Sequence, residues 1–478
     1  VYYASFRLPD LIFNLLILGS LNSAFIPVFK DYLTNNKKAK AFLTANNLLN
    51  LVLVVLLIFG VVLVIWAKEF MILIAPGFSA EKIEQAASLT RIMVLSPLFF
   101  SLSAIVGGVL NSFHRFWSYS LAPVIYNLGI IFGIVFLVPR YGLVGLSLGV
   151  VIGAALNFLV QLPEIWQLGF VYRPILNLKD EGLKKIMHLM LPTTLSLAIS
   201  QINLTVDNMI GSTLKSGSIA VFNFANNIQS LPVGILSIPI CTAAFPKLVE
   251  HVAQEKYVDF VNQIIRSAKQ ILFVIVPVSV FTYVFRAQIV RLLLGAGEFS
   301  WENTVQTLNT VGLFAIGLPF QAIIPLYLRG FYSLKNTKKP LYSTFFAMLL
   351  NVVLSLILTK YLGVAGLALS FSLTSIGHFL ILSYLFKGEI EGFSLKINDT
   401  LIKIFLASLL AGGVAYGSLR FFEPLFVTNT FLGLFWQTLF SSIMGVGLYG
   451  ALTYLMKMEE LKSLGKLLNI GKILGNRK

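Results

Sequence analysis

A single cysteine, Cys241, excludes an intramolecular disulfide framework and any Cys-x-x-Cys metal or redox motif. It lies in an apolar stretch and reads as a small core residue. The four histidines, His114, His188, His251 and His378, show no metal-ligand spacing among themselves and read as packed or interfacial. The chain has no Ser/His/Asp set, no paired His/carboxylate site and no Gly-rich loop ending in Gly-Lys-Ser/Thr. Catalysis and primary ATP-driven pumping by this chain alone are therefore not expected, and no cofactor is implied. Charge is scarce as well: 12% of residues are Asp, Glu, Lys or Arg, about half the share of a soluble domain. Alternating ten-residue strands, the mark of an outer-membrane barrel, are absent.

What the chain has instead is apolar length. Hydrophobic residues make up 57% of it and the mean hydropathy is +0.85. Runs of about 20 apolar residues, enough to cross a bilayer as helix, recur from end to end. Thirteen membrane helices are predicted, at 8–34, 41–66, 84–113, 118–138, 142–168, 186–213, 217–247, 258–287, 302–333, 340–360, 363–386, 400–421 and 430–456. The expected class is an all-α polytopic membrane protein. Pro27, Pro97, Pro123, Pro232, Pro239, Pro277, Pro319 and Pro325 fall inside these helices. Such breaks are accepted where neighbours or a cavity satisfy the freed backbone groups, which favours a moving, cavity-bearing protein over a passive anchor.

The basic residues give the orientation. One alternating set of connections, including the tail from Lys457, carries 22 Lys and Arg; the other, including Arg7, carries nine and several acidic residues. The first set is read as cytoplasmic, which puts the C-terminus inside. The net charge of +16 then reflects topology and contact with anionic lipids rather than nucleic acid. The tail 457–478 reads either as a basic interfacial helix or as a solvated end.

The chain also repeats itself. Ala75-Pro-Gly-Phe-Ser79 recurs as Ala296-Gly-Glu-Phe-Ser300, and Gly142-Leu-Val-Gly-Leu-Ser-Leu148 as Gly363-Val-Ala-Gly-Leu-Ala-Leu369, both at an offset of 221. Ala24-Phe-Ile-Pro27 is echoed by Ala243-Ala-Phe-Pro246 at 219. Repeats in a membrane protein point to a transporter with its site between the halves. The repeat pairs helix 8–34 with 217–247 and leaves 186–213 without a partner. One further helix, roughly 30–40 residues with its connection, is therefore expected upstream. Restoring it gives fourteen helices: two parallel lobes of six and a final pair. The visible chain divides into 1–170 (five helices), 184–386 (six), 399–456 (two) and the tail 457–478.

Intramembrane polar residues are functional candidates. Arg7 and Asp10 share a helical face, with Asn14 a turn later, and Pro9 is read as a helix start that would leave backbone N–H groups near Arg7 for an anion. That group reads equally as an arginine snorkelling beside a helix start. A second group comprises Gln201, Asn203, Asp207 and Asn208, then Asn223, Asn226, Asn227 and Gln229. These amides either glue helices together or line a wet cavity. Asp207 with Asn351 and Ser355 is a candidate Na⁺ or H⁺ site. The turn from Arg329 through Lys335 to Lys338 reads as a cytoplasmic connection or as a gate.

At these residues the chain resembles the MurJ (MviN) type lipid II flippases of the MOP exporter superfamily. The matching segments are Phe6-Arg-Leu-Pro-Asp10, Ser23 to Phe29, Ala75-Pro-Gly-Phe78, Ser200 to Asn203 with Val206-Asp207, Asn223 to Asn226, Arg329 to Lys338 and Gly363 to Leu369. The resemblance implies two six-helix lobes in a V, a cationic cavity for the head of lipid II, and a final helix pair, here 400–456, as a groove for the polyprenyl tail. It implies alternating access in the bacterial cytoplasmic membrane, with an undecaprenyl pyrophosphate sugar-peptide as partner and a monomer as the acting form. Arg7, Asp10, Asn14, Gln201, Asn203, Asn226 and Asn227 are the implied head-group contacts. Na⁺, H⁺ or the membrane potential stay open as the driving force. Where the family commonly carries an arginine pair, this chain has Phe13 and Asn14, and a further usual arginine is Asn227. A usual asparagine is Asp10, and a usual acidic position is Leu18. Asp207 and Asn351 match a sodium site found in some members, while Ser355 replaces a stronger ligand. Each lost arginine removes a bidentate phosphate partner. Alternatives are a flippase for another undecaprenyl-linked oligosaccharide, a drug/cation antiporter of the MATE kind, and a non-transporting scaffold.

Overall fold

The computed structural model describes residues 1–15, 24–295, 301–389 and 398–461. Ser23, Leu18, the motif copy at 296–300, Lys396 and the tail from Lys462 lie outside the described residues. No strand occurs among those described. A bilayer offers backbone groups no water, so each segment must satisfy its own N–H and C=O groups, and the helix does so locally.

The chain forms two compact units, Val1–Leu214 and Lys215–Lys478. The first contains α1 (Tyr2–Phe13), α2 (Ile26–Thr34), α3 (Lys38–Ile65), α4 (Ala67–Ile74), α5 (Ala80–Met93), α6 (Leu95–Ser112), α7 (Trp117–Phe132), α8 (Val138–Tyr141), α9 (Leu143–Leu159), α10 (Leu162–Gln167) and α11 (Glu181–Ser212). The second contains α12 (Ser218–Pro232), α13 (Ile238–Ala253), α14 (Tyr257–Val284), α15 (Arg286–Leu294), α16 (Trp301–Ser333), α17 (Lys338–Leu362), α18 (Val364–Lys387), α19 (Asn398–Phe422) and α20 (Phe431–Leu455). Eleven spans among the described residues are long and apolar enough to cross a membrane, and each coincides with one of the thirteen predicted. The other two predictions, 8–34 and 186–213, are not among the eleven. The boundary between the compact units falls a helix later than the repeat-based division, because α11 packs on α1, α2, α3 and α4.

Prolines inside these helices raise a specific problem. Proline has no N–H, so the carbonyl four residues earlier loses its helical donor. Four times a hydroxyl takes the donor's place. Thr90 Oγ1 donates to Ser5 O at 3.1 Å, opposite Pro9, and Ser96 Oγ donates to Met93 O at 2.7 Å, opposite Pro97. In the second unit Tyr449 Oη donates to Phe273 O at 2.7 Å, opposite Pro277, and Ser279 Oγ donates to Ala315 O at 2.6 Å, opposite Pro319. A different solution precedes Pro139 and Pro239. There the helix widens to a π turn over Gly133–Leu137 and Val233–Ser237, and the residue before each proline donates five residues back.

The repeat is written into the backbone. Asn36 and Glu255, at offset 219, both end a helix in the left-handed region with φ 56°. His114 and Lys335, at offset 221, do the same at φ 58° and 57°. Each pair carries the same double closure from the residues that follow, such as Arg115 N to Leu110 O and Asn336 N to Phe331 O. Gly142 and Gly363 share φ 56°, ψ −136° and φ 58°, ψ −137°. Three residues on, a Cβ at Gly145 would lie 2.4 Å from Leu137 O, and one at Gly366 would lie 2.5 Å from Leu358 O.

In the first unit this close approach extends along two helices. A Cβ at Gly133 would meet Gly149 Cα at 2.5 Å, and one at Gly129 would meet Gly153 Cα at 2.3 Å. Gly129 on α7 and Gly133 opening the π turn after it, with Gly149 and Gly153 on α9, are small residues four apart that let the two backbones touch.

The connection between α10 and α11 is held by α3. Asn46 donates to Val171 O at 3.1 Å and accepts from Arg173 N at 2.8 Å; Asn50 donates to Arg173 O and Ile175 O at 2.7 and 2.9 Å. Asn47 accepts from Asn177 N at 3.0 Å. These amides give an extended segment the backbone partners that a neighbouring strand would supply. Asp180 then caps α11 by accepting from Leu183 N at 2.8 Å. Lys40 bonds Glu181 at 3.0 Å and holds that exposed carboxyl below the usual carboxylate range. Whatever it adds to stability is present above the ordinary carboxylate pKa and is lost as pH falls through the lowered one.

Two outcomes are expected in thermal unfolding of the purified chain. Tyr449→Phe costs about 1 kcal/mol, and the cost shrinks in a Pro277→Ala background, where residue 277 regains its N–H for Phe273. Equal costs in both backgrounds would remove the link to the proline. Gly149→Ala costs about 1–3 kcal/mol, because its Cβ would sit 2.7 Å from Gly133 Cα, whereas Gly413→Ala, which meets nothing within 4 Å, does not.

Candidate functional site

The first unit brings Arg7 and Gln201 together. Arg7 is 8% exposed. Its Nη2 donates to Gln201 O at 2.7 Å and to Gln201 Oε1 at 2.9 Å, and its Nε donates to Thr205 Oγ1 at 3.2 Å. Thr205 is oriented for this by donating to Gln201 O at 2.8 Å. The other edge of the guanidinium pairs with Asp10, Nη1 to Oδ2 at 3.7 Å, as their three-residue spacing predicts. Asn14 follows one turn later on the same helix and interacts with Asp10.

Pro9 departs from the expectation drawn from sequence. It does not start the helix: α1 begins at Tyr2 and Pro9 lies inside it. The backbone groups near Arg7 are therefore committed to the helix and do not form an anion-binding N-terminus. The group opened by Pro9 is the carbonyl of Ser5, which Thr90 takes.

Asp207 lies on α11 one and a half turns beyond Gln201, is 1% exposed and acts electrostatically on Arg7. Arg7 thus stands among two carboxylates, Asp10 and Asp207, and the three groups carry a formal charge of −1. Taken alone this cluster does not attract an anion; it becomes neutral when one carboxylate is protonated or binds a monovalent cation. Asn203, one turn before Asp207, and Asn208 each present an Oδ1 without a hydrogen-bond partner. Carboxylate and amide oxygens are the donor set a hard monovalent cation or a proton would take. No group of three or more His, Cys, Asp or Glu suited to a metal occurs among the described residues.

The remaining predicted residues belong to the second unit. Asn226 accepts from Gln229 Nε2 at 3.0 Å, while Asn227 is exposed. Asn351 and Ser355 are both fully buried, but Ser355 is within 2.7 Å of Ser370 Oγ and only 3.5 Å from Asn351 Oδ1. Ser370 had no motif to mark it. In the Arg329–Lys338 turn, Arg329 Nη1 reaches Ile238 O at 3.4 Å, and Lys335 and Lys338 are exposed. The turn is fastened by a residue far beyond it, Glu389: Lys339 pairs with its carboxylate at 2.9 Å, and Asn336 bonds the same carboxylate. Fifty residues of intervening chain hide that partnership from any local pattern. Thr205 was detectable, since it lies at helical spacing from Gln201.

A many-helix fold with polar clusters on broken helices defines a class before a family. A multidrug resistance MATE transporter of the MOP superfamily, in an inward-facing conformation, aligns with TM-score 0.66 over 86% of this chain and 90% of that one. At 18% identity it speaks for the fold alone. A lipid II flippase MurJ in an inward closed conformation aligns with TM-score 0.77 and 26% identity over 96% of this chain and 92% of that one. The family described as lipid II flippase MurJ matches residues 1–436, and the chain belongs to that family. Relatives include the probable lipid II flippases MurJ of Thermotoga maritima, 29% identical over 97% of this chain and 90% of that protein, and of Vibrio cholerae serotype O1, 28% identical over 97% and 91%.

Replacing Arg7 tests its role in joining α1 to α11. Arg7→Ala is expected to destabilise the purified chain by about 1.5–3 kcal/mol, the range for hydrogen bonds to a charged group. Thr205→Val should cost less, because Gln201 still holds the guanidinium. A Tm unchanged by Arg7→Ala would show that the contacts carry no stability.

Proposed function

We propose that this multi-pass membrane protein is a lipid II flippase of the bacterial inner membrane, moving the lipid-linked peptidoglycan precursor from the cytoplasmic to the outer leaflet by alternating access. It is a transporter and not an enzyme. The observation that carries this reading is the family match over residues 1–436, and the likeness to a lipid II flippase along 96% of the chain supports it. Two parallel lobes followed by a final helix pair, with thirteen of an expected fourteen crossings carried by this chain, are the architecture we assign. The recurrence of cap geometry at offsets of 219 and 221 supports the duplication.

Head-group contact is assigned to Arg7, Asp10, Asn14, Gln201 and Asn203, with Asn226 and Asn227 from the second unit. Arg7 is the principal phosphate partner we assign: on lipid II binding its guanidinium would exchange its Gln201 and Thr205 partners for a pyrophosphate oxygen pair, which its planar fork matches. Its two carboxylate neighbours suggest how coupling works. A proton or Na⁺ at Asp207, aided by Asn203, cancels one negative charge and leaves Arg7 more attractive to the pyrophosphate. Asn351 and Ser355 are retained as further candidates for cation coupling, and the membrane potential as a second driving force. Arg329, Lys335 and Lys338 form the cytoplasmic turn that we assign to gating, and a monomer in contact with anionic lipids is the acting form.

Translocation of lipid II in reconstituted vesicles is expected to fall at least tenfold in Arg7→Ala, equivalent to about 1.4 kcal/mol of lost interaction. Thr205→Val, which keeps the guanidinium, should retain activity; wild-type rates for Arg7→Ala would overturn the assignment. Asp207→Asn should abolish the dependence of rate on Na⁺ or pH. Orientation is tested separately by impermeant maleimide on intact cells, in a Cys241→Ser background. Lys335→Cys should resist labelling and Glu423→Cys should react, with the reverse pattern overturning the topology.

A further inference from the structure

The outer side assigned by the charge pattern is poor in basic residues, yet three of its nine converge. Arg286 and Arg291 on α15 and Arg420 on α19 line one cavity of about 270 Å³ in the second unit, together with Gln288, Glu423 and Thr428. The positive-inside tendency accounts for lysine and arginine on the opposite side and offers no reason for this cluster. Three guanidiniums against the one carboxylate of Glu423 leave two net positive charges.

The arginines are held in place. Arg286 lies over the Tyr283 ring at 4.4 Å and donates from Nη1 to Tyr283 O at 2.6 Å. Arg291 reaches from α15 to the α19–α20 connection, donating from Nη2 to Thr428 O at 2.8 Å. Arg420 rests 3.3 Å from Glu423 Oε2 and near the Tyr416 ring at 5.9 Å. Anchored forks of this kind match the oxygen pairs of a phosphate and are weakly hydrated compared with an ammonium. The cavity also contains Gln288 Oε1, buried and without a partner. A ligand that accepts from arginine and donates a hydroxyl to an amide fits both features, as a hydroxylated phosphate ester does.

The neighbouring connection indicates where that ligand comes from. Phe421, Leu425, Val427, Phe431 and Leu432, on the same connection and its flanking turns, are each more than 60% exposed. Exposed apolar side chains adjacent in sequence to the pocket-lining Arg420, Glu423 and Thr428 suit the headgroup boundary of a bilayer better than open water. We propose that the cavity bounded by α15, α19 and the connection 423–430 binds the phosphate of an anionic glycerophospholipid, held by Arg286, Arg291 and Arg420. The site is separate from the Arg7 cluster and does not depend on the transport reading.

Native mass spectrometry of the full chain, released from micelles doped with phosphatidylglycerol or with phosphatidylcholine, tests this. The wild type is expected to retain the anionic lipid preferentially. Arg286→Gln with Arg291→Gln should weaken that retention about tenfold, as loss of one charged hydrogen bond would. Arg420→Gln, at a mostly exposed side chain whose loss spares folding, should weaken it in the same direction. No preference for phosphatidylglycerol, or a preference that survives in Arg420→Gln and in any folded double variant, overturns the proposal. So does arginine-dependent thermal stabilisation by inorganic phosphate that phosphatidylglycerol fails to compete, which would assign the pocket to a free anion.

Discussion

The constraint on which this structure depends is that a backbone carbonyl inside a bilayer has no water to fall back on. Helices satisfy it by default, and the interesting places are those where sequence breaks the default. Pro9, Pro97, Pro277 and Pro319 each free a carbonyl, and Thr90, Ser96, Tyr449 and Ser279 each return a hydrogen to it. Three of the four donors come from another helix. The proline that weakens one helix therefore fixes its contact with a second: α1 to α5, α14 to α20 and α16 to α14. Helix breaks here are also joints between helices.

Polar side chains elsewhere follow the same logic with different partners. Asn46, Asn47 and Asn50 serve a stretch of backbone that has no helix of its own. Arg7 serves a carbonyl and two side-chain oxygens on α11 while sharing its charge with acidic neighbours. In neither case can amide content alone separate a residue that satisfies the fold from one that awaits a ligand; only its bonding partners do. The arginine pocket of the second unit differs because its anchoring contacts take one edge of each fork and its net charge is uncompensated.

Much of this was legible in the chain. Apolar length marked eleven spans closely, since in a membrane length and composition dictate helix directly. The i, i+3 spacing of Arg7 and Asp10 gave their ion pair. The echo of Gly142–Leu148 in Gly363–Leu369 located two copies of one turn. What escaped detection depends on pairing distant regions of the chain. Glu389 closing the 336–339 turn, Thr90 serving Ser5, and Arg286, Arg291 and Arg420 meeting across more than 100 residues have no signature within one helix. Pro9 was misread for a related reason. A proline near a helix start and a proline whose carbonyl is rescued look alike until the rescuer is known.

The duplicated caps carry a last consequence. The chain holds two independent solutions to each turn, so it contains its own substitution experiment. Asn36 and Glu255, and likewise His114 and Lys335, hold φ equal to within a degree with different side chains, so these turns constrain conformation and ignore charge. Gly142 and Gly363 have not diverged, because ψ near −137° lies in mirror-image extended backbone that a side chain resists. Drift between the two copies thus separates what the architecture demands from what it merely permits, within a single molecule.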